Sequence, residues 1–438
     1  MIAGRLPDGE GRVDKGTGRG DGELAKITEA GGEGTGRGRV RPVRIHDMKF
    51  LDNYKATHVA AYTGYVTQAV VNNLSPLLFV TFSKAFSMSL TDISVLITVN
   101  FVTQILVDLV SAKYIKKLGY RPACILAHFL ATLGLLGFSI LPFVLPPFVG
   151  LVLSTILCAI GGGMDEVIIS PVIEAIPGDN KEADMSLLHS FYSWGQVLVV
   201  LGSTAYFYFA GIEDWRFLPI IWALIPLADT IMFLFVPICE LPEEENDELR
   251  RESYKGKTFF ILFVIMICAG ASELAMSQWA SLLAEEGLGV SKALGDILGP
   301  CMFAVFMGIS RVIYGIRGNK MNLENFMILS GVLCIISYCL VAFAANPVVA
   351  LLGCGLCGFS VGIMWPGTYS IGAHKMPKGG TAMFALLALG GDIGCTSGPD
   401  VAGIIGQCFD NIRIGLGFGM IFPMVLIIGV LSLKKCLT

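Results

Sequence analysis

Leu157-Cys158-Ala159-Ile160-Gly161-Gly162-Gly163-Met164-Asp165-Glu166-Val167-Ile168-Ile169-Ser170-Pro171 sets two adjacent carboxylates inside an apolar run long enough to cross a bilayer. An ionised acid at the centre of a spanning helix costs roughly 2.5 to 3.5 kcal/mol on insertion scales. Acids kept in such places face a bundle interior or a watery path, so the segment is expected to look inward onto an ion or solute route. About 100° of helical rotation separates the two neighbours, so one of them faces that route. Glu166 is the choice, because it shares a stripe with Gly162, Gly163 and Ser170, where small side chains leave room for water or solute. The alternative is a carboxylate held to a neighbouring helix for structural reasons.

The rest of the chain has the same character. Of 438 residues, 54% are hydrophobic and 15% charged, with a mean hydropathy of +0.69. Soluble domains carry about 25% charged residues, so a polytopic membrane protein is expected. About twelve segments of spanning length recur: Thr57 to Phe82, Thr91 to Ile115, Tyr120 to Val144, Phe148 to Ile176, Met185 to Ala210, Arg216 to Cys239, Thr258 to Ala284, Ala293 to Ile316, Asn325 to Ala344, Pro347 to His374, Thr381 to Gln407 and Arg413 to Leu433. Between the sixth and seventh lies the one strongly charged internal stretch, Leu241-Pro242-Glu243-Glu244-Glu245-Asn246-Asp247-Glu248-Leu249-Arg250-Arg251. The expected organisation is a Gly/Arg-rich disordered extension over 1–47, a six-helix bundle over 48–239, a charged linker over 240–257 and a second bundle over 258–438. The extension has no apolar region to insert, and a start at Met48 would account for it.

Positive residues are retained on the cytoplasmic side. With the amino terminus inside, that side collects Lys113, Lys116, Lys117, Arg121, Lys181, Arg250, Arg251, Lys255, Lys257, Arg317, Lys320, Lys375, Lys378, Lys434 and Lys435, against Lys84, Arg216, Lys292 and Arg413 outside. Both termini are therefore expected in the cytoplasm, with the protein spanning the plasma (inner) membrane. The 12 cysteines sit in apolar segments, as small buried hydrophobes do. Cys354-Gly355-Leu356-Cys357 has redox or zinc spacing, but no second pair accompanies it. There is no Walker-type loop, no His-Glu-x-x-His and no acid cluster in a loop, so neither an enzyme nor a cofactor is expected.

An offset of 199 residues superposes the fourth and fifth segments on the tenth and eleventh without a gap. It matches Leu153 with Leu352, Leu157 with Leu356, Cys158 with Cys357, Gly163 with Gly362, Leu187 with Leu386, Leu188 with Leu387 and Gly195 with Gly394. Two parallel repeats about an axis along the membrane normal are a transporter arrangement, with the solute site at the midplane between them. Glu166 then corresponds to Trp365.

Over Met48 to Thr438 the chain resembles the major facilitator superfamily, and most specifically its fucose-permease-like sugar:proton symporters. Gly163-Met164-Asp165-Glu166, Leu187-Leu188-His189-Ser190-Phe191-Tyr192-Ser193-Trp194-Gly195 and Met364-Trp365-Pro366-Gly367-Thr368-Tyr369 carry the resemblance. It implies an all-α membrane protein of twelve transmembrane helices in two six-helix pseudo-symmetric halves, moving a solute by alternating access. The chain departs from that family in its first helix, where Gln68, Asn72 and Asn73 stand without the family's aspartate. It departs again at Lys116-Lys117-Leu118-Gly119-Tyr120-Arg121, where lysine replaces the acid before Gly-x-Arg.

The residues expected to couple ion movement are Glu166 and Glu273, the latter about 22 Å along its helix from Thr258. Those expected to contact solute are Gln68, Asn72, Asn73, His189, Trp194, Gln278, Trp279, Trp365, Tyr369 and Asp392, which supply amide donors, an imidazole and stacking rings suited to a sugar. His189 is equally readable as a structural histidine, Trp279 as an interface anchor, and Trp365 with Tyr369 as lipid-facing aromatics. Arg311 is a candidate partner for Asp392, and His128 for Asp229. The coupling ion is a proton, or sodium in its place; the expected partners are a small solute and the lipid bilayer, with no nucleic acid and a monomeric state. A non-transporting sensor or receptor, or an exporter of another metabolite or drug, is the alternative function.

Overall fold

The computed structural model describes residues 54–242, 254–289, 294–295, 297–317, 321–409 and 411–435. The Gly/Arg-rich extension and most of the charged linker lie outside the described residues, as do the expectations made for them. The chain runs through α1 (Tyr54–Phe86), α2 (Leu90–Leu118), α3 (Tyr120–Val144), α4 (Pro147–Ala175), α5 (Lys181–Ala210), α6 (Ile212–Phe235), α7 (Lys257–Leu288), α8 (Ile297–Arg317), α9 (Leu323–Phe343), α10 (Pro347–Lys375), α11 (Gly380–Cys408) and α12 (Ile412–Lys435). With an even number of crossings, α1 begins and α12 ends on the same face, called here the chain-end face.

Nine of these helices, among the described residues, are long and apolar enough to cross a membrane. The other three are α1, α5 and α11, which interleave apolar residues with Gln68, Asn72 and Asn73, with Ser186, His189 and Ser193, and with Asp392 and Thr396. Gln68, Ser186, His189, Ser193 and Asp392 are buried among protein groups, so the three least apolar helices present these polar groups to the interior.

The two halves repeat each other in packing. In the first, α1 packs with α4, α5 and α6, α2 with α4, and α3 with α4 and α6; in the second, α7 packs with α10, α11 and α12, α8 with α10, and α9 with α10 and α12. The offset of 199 is visible in atomic contacts. Gly195 sits where a Cβ would come 2.7 Å from Ala69 of α1, and its counterpart Gly394 where a Cβ would come 2.0 Å from the Ile267 carbonyl of α7. The halves meet mainly through α5 with α8 and α2 with α11, pairs that exchange under the repeat.

Two arginines close helix ends that would otherwise leave carbonyls without donors. Arg121 donates to the Phe233, Leu234 and Val236 carbonyls at the end of α6, at 2.8, 3.0 and 2.8 Å. Arg413 does the same for α9, donating to Val341 and Ala344 at 3.1 and 2.8 Å. Cys354 and Cys357 are buried thiols against Met276 and Cys334, with Cys334 Sγ and Cys357 Sγ 3.9 Å apart.

Asp165 turns into the first half, as the rotation between neighbours requires. His128 Nδ1 lies 3.2 Å from Asp165 Oδ1 and His128 Nε2 lies 2.8 Å from Asp229 Oδ2, with all three side chains buried. The anticipated His128–Asp229 pair is present, and Asp165 is its third member.

Candidate functional site

Four carboxylates, each from a different helix, are buried where the halves meet: Asp108 of α2, Glu166 of α4, Glu273 of α7 and Asp392 of α11. Counting helical rise, Glu166 is about 14 Å from the chain-end face, Asp108 about 15 Å and Asp392 about 18 Å. The three thus stand at similar heights on the chain-end side of the midplane, on helices that pack together, α2 against α4 and α11.

Glu166 Oε2 accepts from Gln68 Nε2 at 2.7 Å, which ties α4 to α1. Along α1, Asn72 Oδ1 accepts from Gln104 Nε2 of α2 at 2.9 Å, and Asn73 Nδ2 donates to the Ala69 carbonyl at 2.9 Å. The glycine stripe beside Glu166 does not leave the anticipated space. A Cβ on Gly162 would lie 2.8 Å from Val71 of α1, and one on Gly163 would lie 3.2 Å from Val107 of α2. The small residues bring α1 and α2 onto α4 and so place the amides of α1 against the carboxylate.

On the other flank, the Tyr65 hydroxyl is 2.6 Å from Ser170 Oγ and 3.2 Å from His189 Nε2. The His189 ring lies 5.7 Å from that of Tyr369, whose centroid is 6.5 Å from Trp365 in an edge-on arrangement. A Cβ on Gly391 would come within 2.0 Å of Trp365 Cη2, so the absence of a side chain there lets the indole lie against α11.

Arg311 joins the halves. Its Nη1 donates to the His189 carbonyl at 3.0 Å and to Ser193 Oγ at 2.8 Å, both in α5, while Nε donates to the Gly362 carbonyl of α10 at 2.8 Å. Its Nη2 lies 3.5 Å from Glu273 Oε2, and Ser186 Oγ donates to the Arg311 carbonyl at 2.8 Å. Asp392 was the candidate partner; the structure gives Glu273, because α8, which carries Arg311, packs on α5 and α10, whereas α11, which carries Asp392, packs on α2 and α7.

Three anticipated residues lie away from this cluster or at its edge. Trp194 is 37% exposed, with its ring against Gly308 of α8. Gln278 is exposed, and Trp279 donates through Nε1 to the Pro399 carbonyl at 3.2 Å, with its ring over Gly403. Five and six residues beyond Glu273, they are rotated by about 140° and 240° around α7 and cannot share its face. Trp279 instead lines a pocket of about 840 Å³, with Pro347, Asp400 and Arg413, at the face opposite the chain ends. That pocket lies within one half, whereas the convergent buried acids, amides and imidazole sit between the halves, the more informative place for chemistry.

Asp108 and Tyr65 went unmarked in the sequence. Asp108 was legible by the rule that singled out Glu166, an acid within an apolar helix. Tyr65 was not, since a tyrosine in a helix carries no signal until its partners are known.

No curated protein matches the chain by sequence. Among solved structures it is similar to the fucose:proton symporter FucP of E. coli, with a TM-score of 0.74 at 15% identity over 85% of this chain and 97% of that one. FucP in the outward conformation gives a TM-score of 0.74 at 16% identity, over 85% and 97%. The proton:xylose symporter XylE gives 0.72 at 12% identity, over 89% of this chain and 96% of that one. The family profile of the Major Facilitator Superfamily matches residues 61–399. With its twelve helices in two repeating halves and its buried polar groups between them, the chain belongs to the major facilitator superfamily, a family of membrane transporters and not of enzymes.

Proposed function

We propose that this transporter moves a sugar or a sugar derivative by alternating access, that Glu166 couples the movement to protons, and that both chain ends face the cytoplasm across the plasma membrane. The observation that carries the reading is the environment of Glu166. It is a buried carboxylate at the junction of the halves, bonded to the neutral Gln68 amide, and among the described residues no cation pairs with it. An acid without a counter-ion in that setting is suited to taking up and releasing a proton as its hydration changes.

Around it, Gln68, Asn72, His189, Tyr369 and Trp365 supply hydrogen-bonding groups and ring faces of the kind that hold a pyranose. The shared fold with symporters of fucose and xylose supports the sugar class.

The test uses the purified protein in proteoliposomes with labelled sugars and an imposed pH gradient. Saturable uptake that the gradient drives uphill is expected. Glu166→Gln should abolish accumulation while retaining exchange of labelled for unlabelled solute, because the amide mimics the protonated acid but cannot release. Normal accumulation by Glu166→Gln would remove the coupling role from that residue and pass it to Glu273.

A further inference from the structure

We propose that His128, Asp165 and Asp229 form an orientation clamp inside the first half, with His128 as a positioning residue: by holding Asp165 it sets the rotation of α4 about its own axis and so brings the next residue, Glu166, onto Gln68. The inference rests on the reading of Glu166 as the coupling acid for its consequence in transport, but not for the orientation itself.

Four helices meet at the imidazole. His128 Nδ1 is 2.7 Å from the Cys124 carbonyl, one turn back in α3, and 3.2 Å from Asp165 Oδ1 of α4, while Nε2 is 2.8 Å from Asp229 Oδ2 of α6. Phe233 of α6 lies beside the ring, with 5.1 Å between centroids, and a Cβ on Gly64 of α1 would come 3.1 Å from Nε2. The ring therefore has no room to swing. Both neighbours of Nδ1 are oxygen acceptors, so that nitrogen carries a hydrogen. All three side chains are fully buried, and the carboxylate oxygens of Asp165 and Asp229 make no hydrogen bond to any other group among the described residues. His128 is thus the charge partner that both acids depend on.

Two acids on one histidine are an expensive way to fill the middle of a bundle, since apolar side chains of similar volume do it as well or better. What a buried ionic cluster can add is a unique arrangement, and on α4 rotation is otherwise weakly fixed. Gly161, Gly162 and Gly163 lie bare against Ala127 and Ala131 of α3, Val71 of α1 and Val107 of α2. Such a stripe lets backbones approach closely but offers no side chain to interlock. A turn of about 30° carries a group about 5 to 6 Å from the helix axis through about 3 Å, enough to part the 2.7 Å bond between Gln68 and Glu166. Asp165 and Glu166 sit about 100° apart on one backbone, so neither can turn without the other. Holding Asp165 on His128 holds Glu166 on Gln68.

Infrared difference spectra of the full chain test this, with the Glu166 carboxyl band assigned by its loss in Glu166→Gln. Gln68→Leu should displace that band, because the amide it accepts from is gone. Asp165→Leu should displace it in the same direction, although it leaves Glu166 and Gln68 in the chain. Asp165→Asn removes the same charge but keeps an oxygen to face Nδ1, so it should leave the band in place and separate orientation from charge. A cluster that serves stability alone predicts instead a lower unfolding temperature for Asp165→Leu with the band unmoved. Should Asp165→Leu fold poorly, His128→Phe combined with Asp165→Asn and Asp229→Asn leaves no buried charge unpaired, and it too should displace the band. A band unmoved in Asp165→Leu and in that triple variant, or moved as far by Asp165→Asn as by Asp165→Leu, would overturn the proposal. Uptake under an imposed pH gradient separates the two ideas. Normal accumulation by Glu166→Gln with a displaced band in Asp165→Leu removes the coupling reading and leaves the clamp; lost accumulation by Glu166→Gln with an unmoved band does the reverse.

Discussion

A buried charge is tolerable only with its partners in place, and Arg311 is the clearest case. Its guanidinium serves two carbonyls, a serine hydroxyl and Glu273 from three helices besides its own. Arg311→Ala leaves Glu273 buried without its counter-ion, a change that costs about 3 to 5 kcal/mol. A lower unfolding temperature in detergent, partly restored by adding Glu273→Gln, is expected; a double variant as unstable as the single would show that the pair is not the reason. Gly391 is constrained by shape. Gly391→Ala forces its Cβ into the Trp365 ring, an overpacking worth about 1 to 3 kcal/mol. Trp365→Phe in the same chain should relieve the clash and recover thermal stability. Indole fluorescence should shift in Gly391→Ala.

At the scale of elements, helices in lipid associate through close packing of small residues, since apolar burial between them adds little. The α7–α11 contact shows it: a Cβ on Gly394 would lie 2.0 Å from the Ile267 carbonyl, and one on Gly398 would lie 2.7 Å from that of Ala271. Backbone cannot yield as a side chain can. Gly394→Ala should therefore lower the yield of folded protein and its unfolding temperature, whereas Gly178→Ala, where a Cβ would meet nothing within 4 Å, should leave both unchanged. Equal behaviour of the two variants would mean that the seam is looser than its geometry. Gly390, Gly394 and Gly398 recur every four residues along α11, a spacing that lets another helix approach closely, but the partner helix cannot be named from spacing alone.

For the whole molecule, the question is what holds the halves closed at the chain-end face. The Tyr314 hydroxyl donates to Glu182 at 2.9 Å and the Tyr120 hydroxyl is 2.8 Å from Thr381 Oγ1, each bond crossing from one half to the other. A hydrogen bond of this kind contributes about 0.5 to 1.5 kcal/mol, a factor of roughly two to ten in the opening equilibrium. Tyr314→Phe and Tyr120→Phe together should speed hydrogen exchange at the start of α5 and of α11 without lowering the unfolding temperature by more than a few degrees. Unaltered exchange would place the closing energy elsewhere, in the Arg311 cluster or the α2–α11 seam. The Gly/Arg-rich extension is expected to matter to none of this, and a chain beginning at Met48 should insert and transport as the full chain does.

Hydropathy and small-residue spacing by themselves determined that the chain crosses the membrane about twelve times, that its halves repeat, and that an acid in α4 looks inward. These are properties of single helices against a bilayer, and the residues of one helix suffice to express them. The offset of 199 went further, since equal spacing puts equal residues at equal seams, as Gly195 and Gly394 show. What the sequence could not contain was the choice of partner. Arg311 was a candidate for Asp392 on paper and takes Glu273 instead; Gln278 and Trp279 leave the cluster because α7 rotates them away. Pairing across helices depends on azimuth and on relative height, quantities set by how twelve helices settle against one another. Where every buried charge needs a partner within about 4 Å, a shift of one helical turn, about 5.4 Å, decides which partner it has.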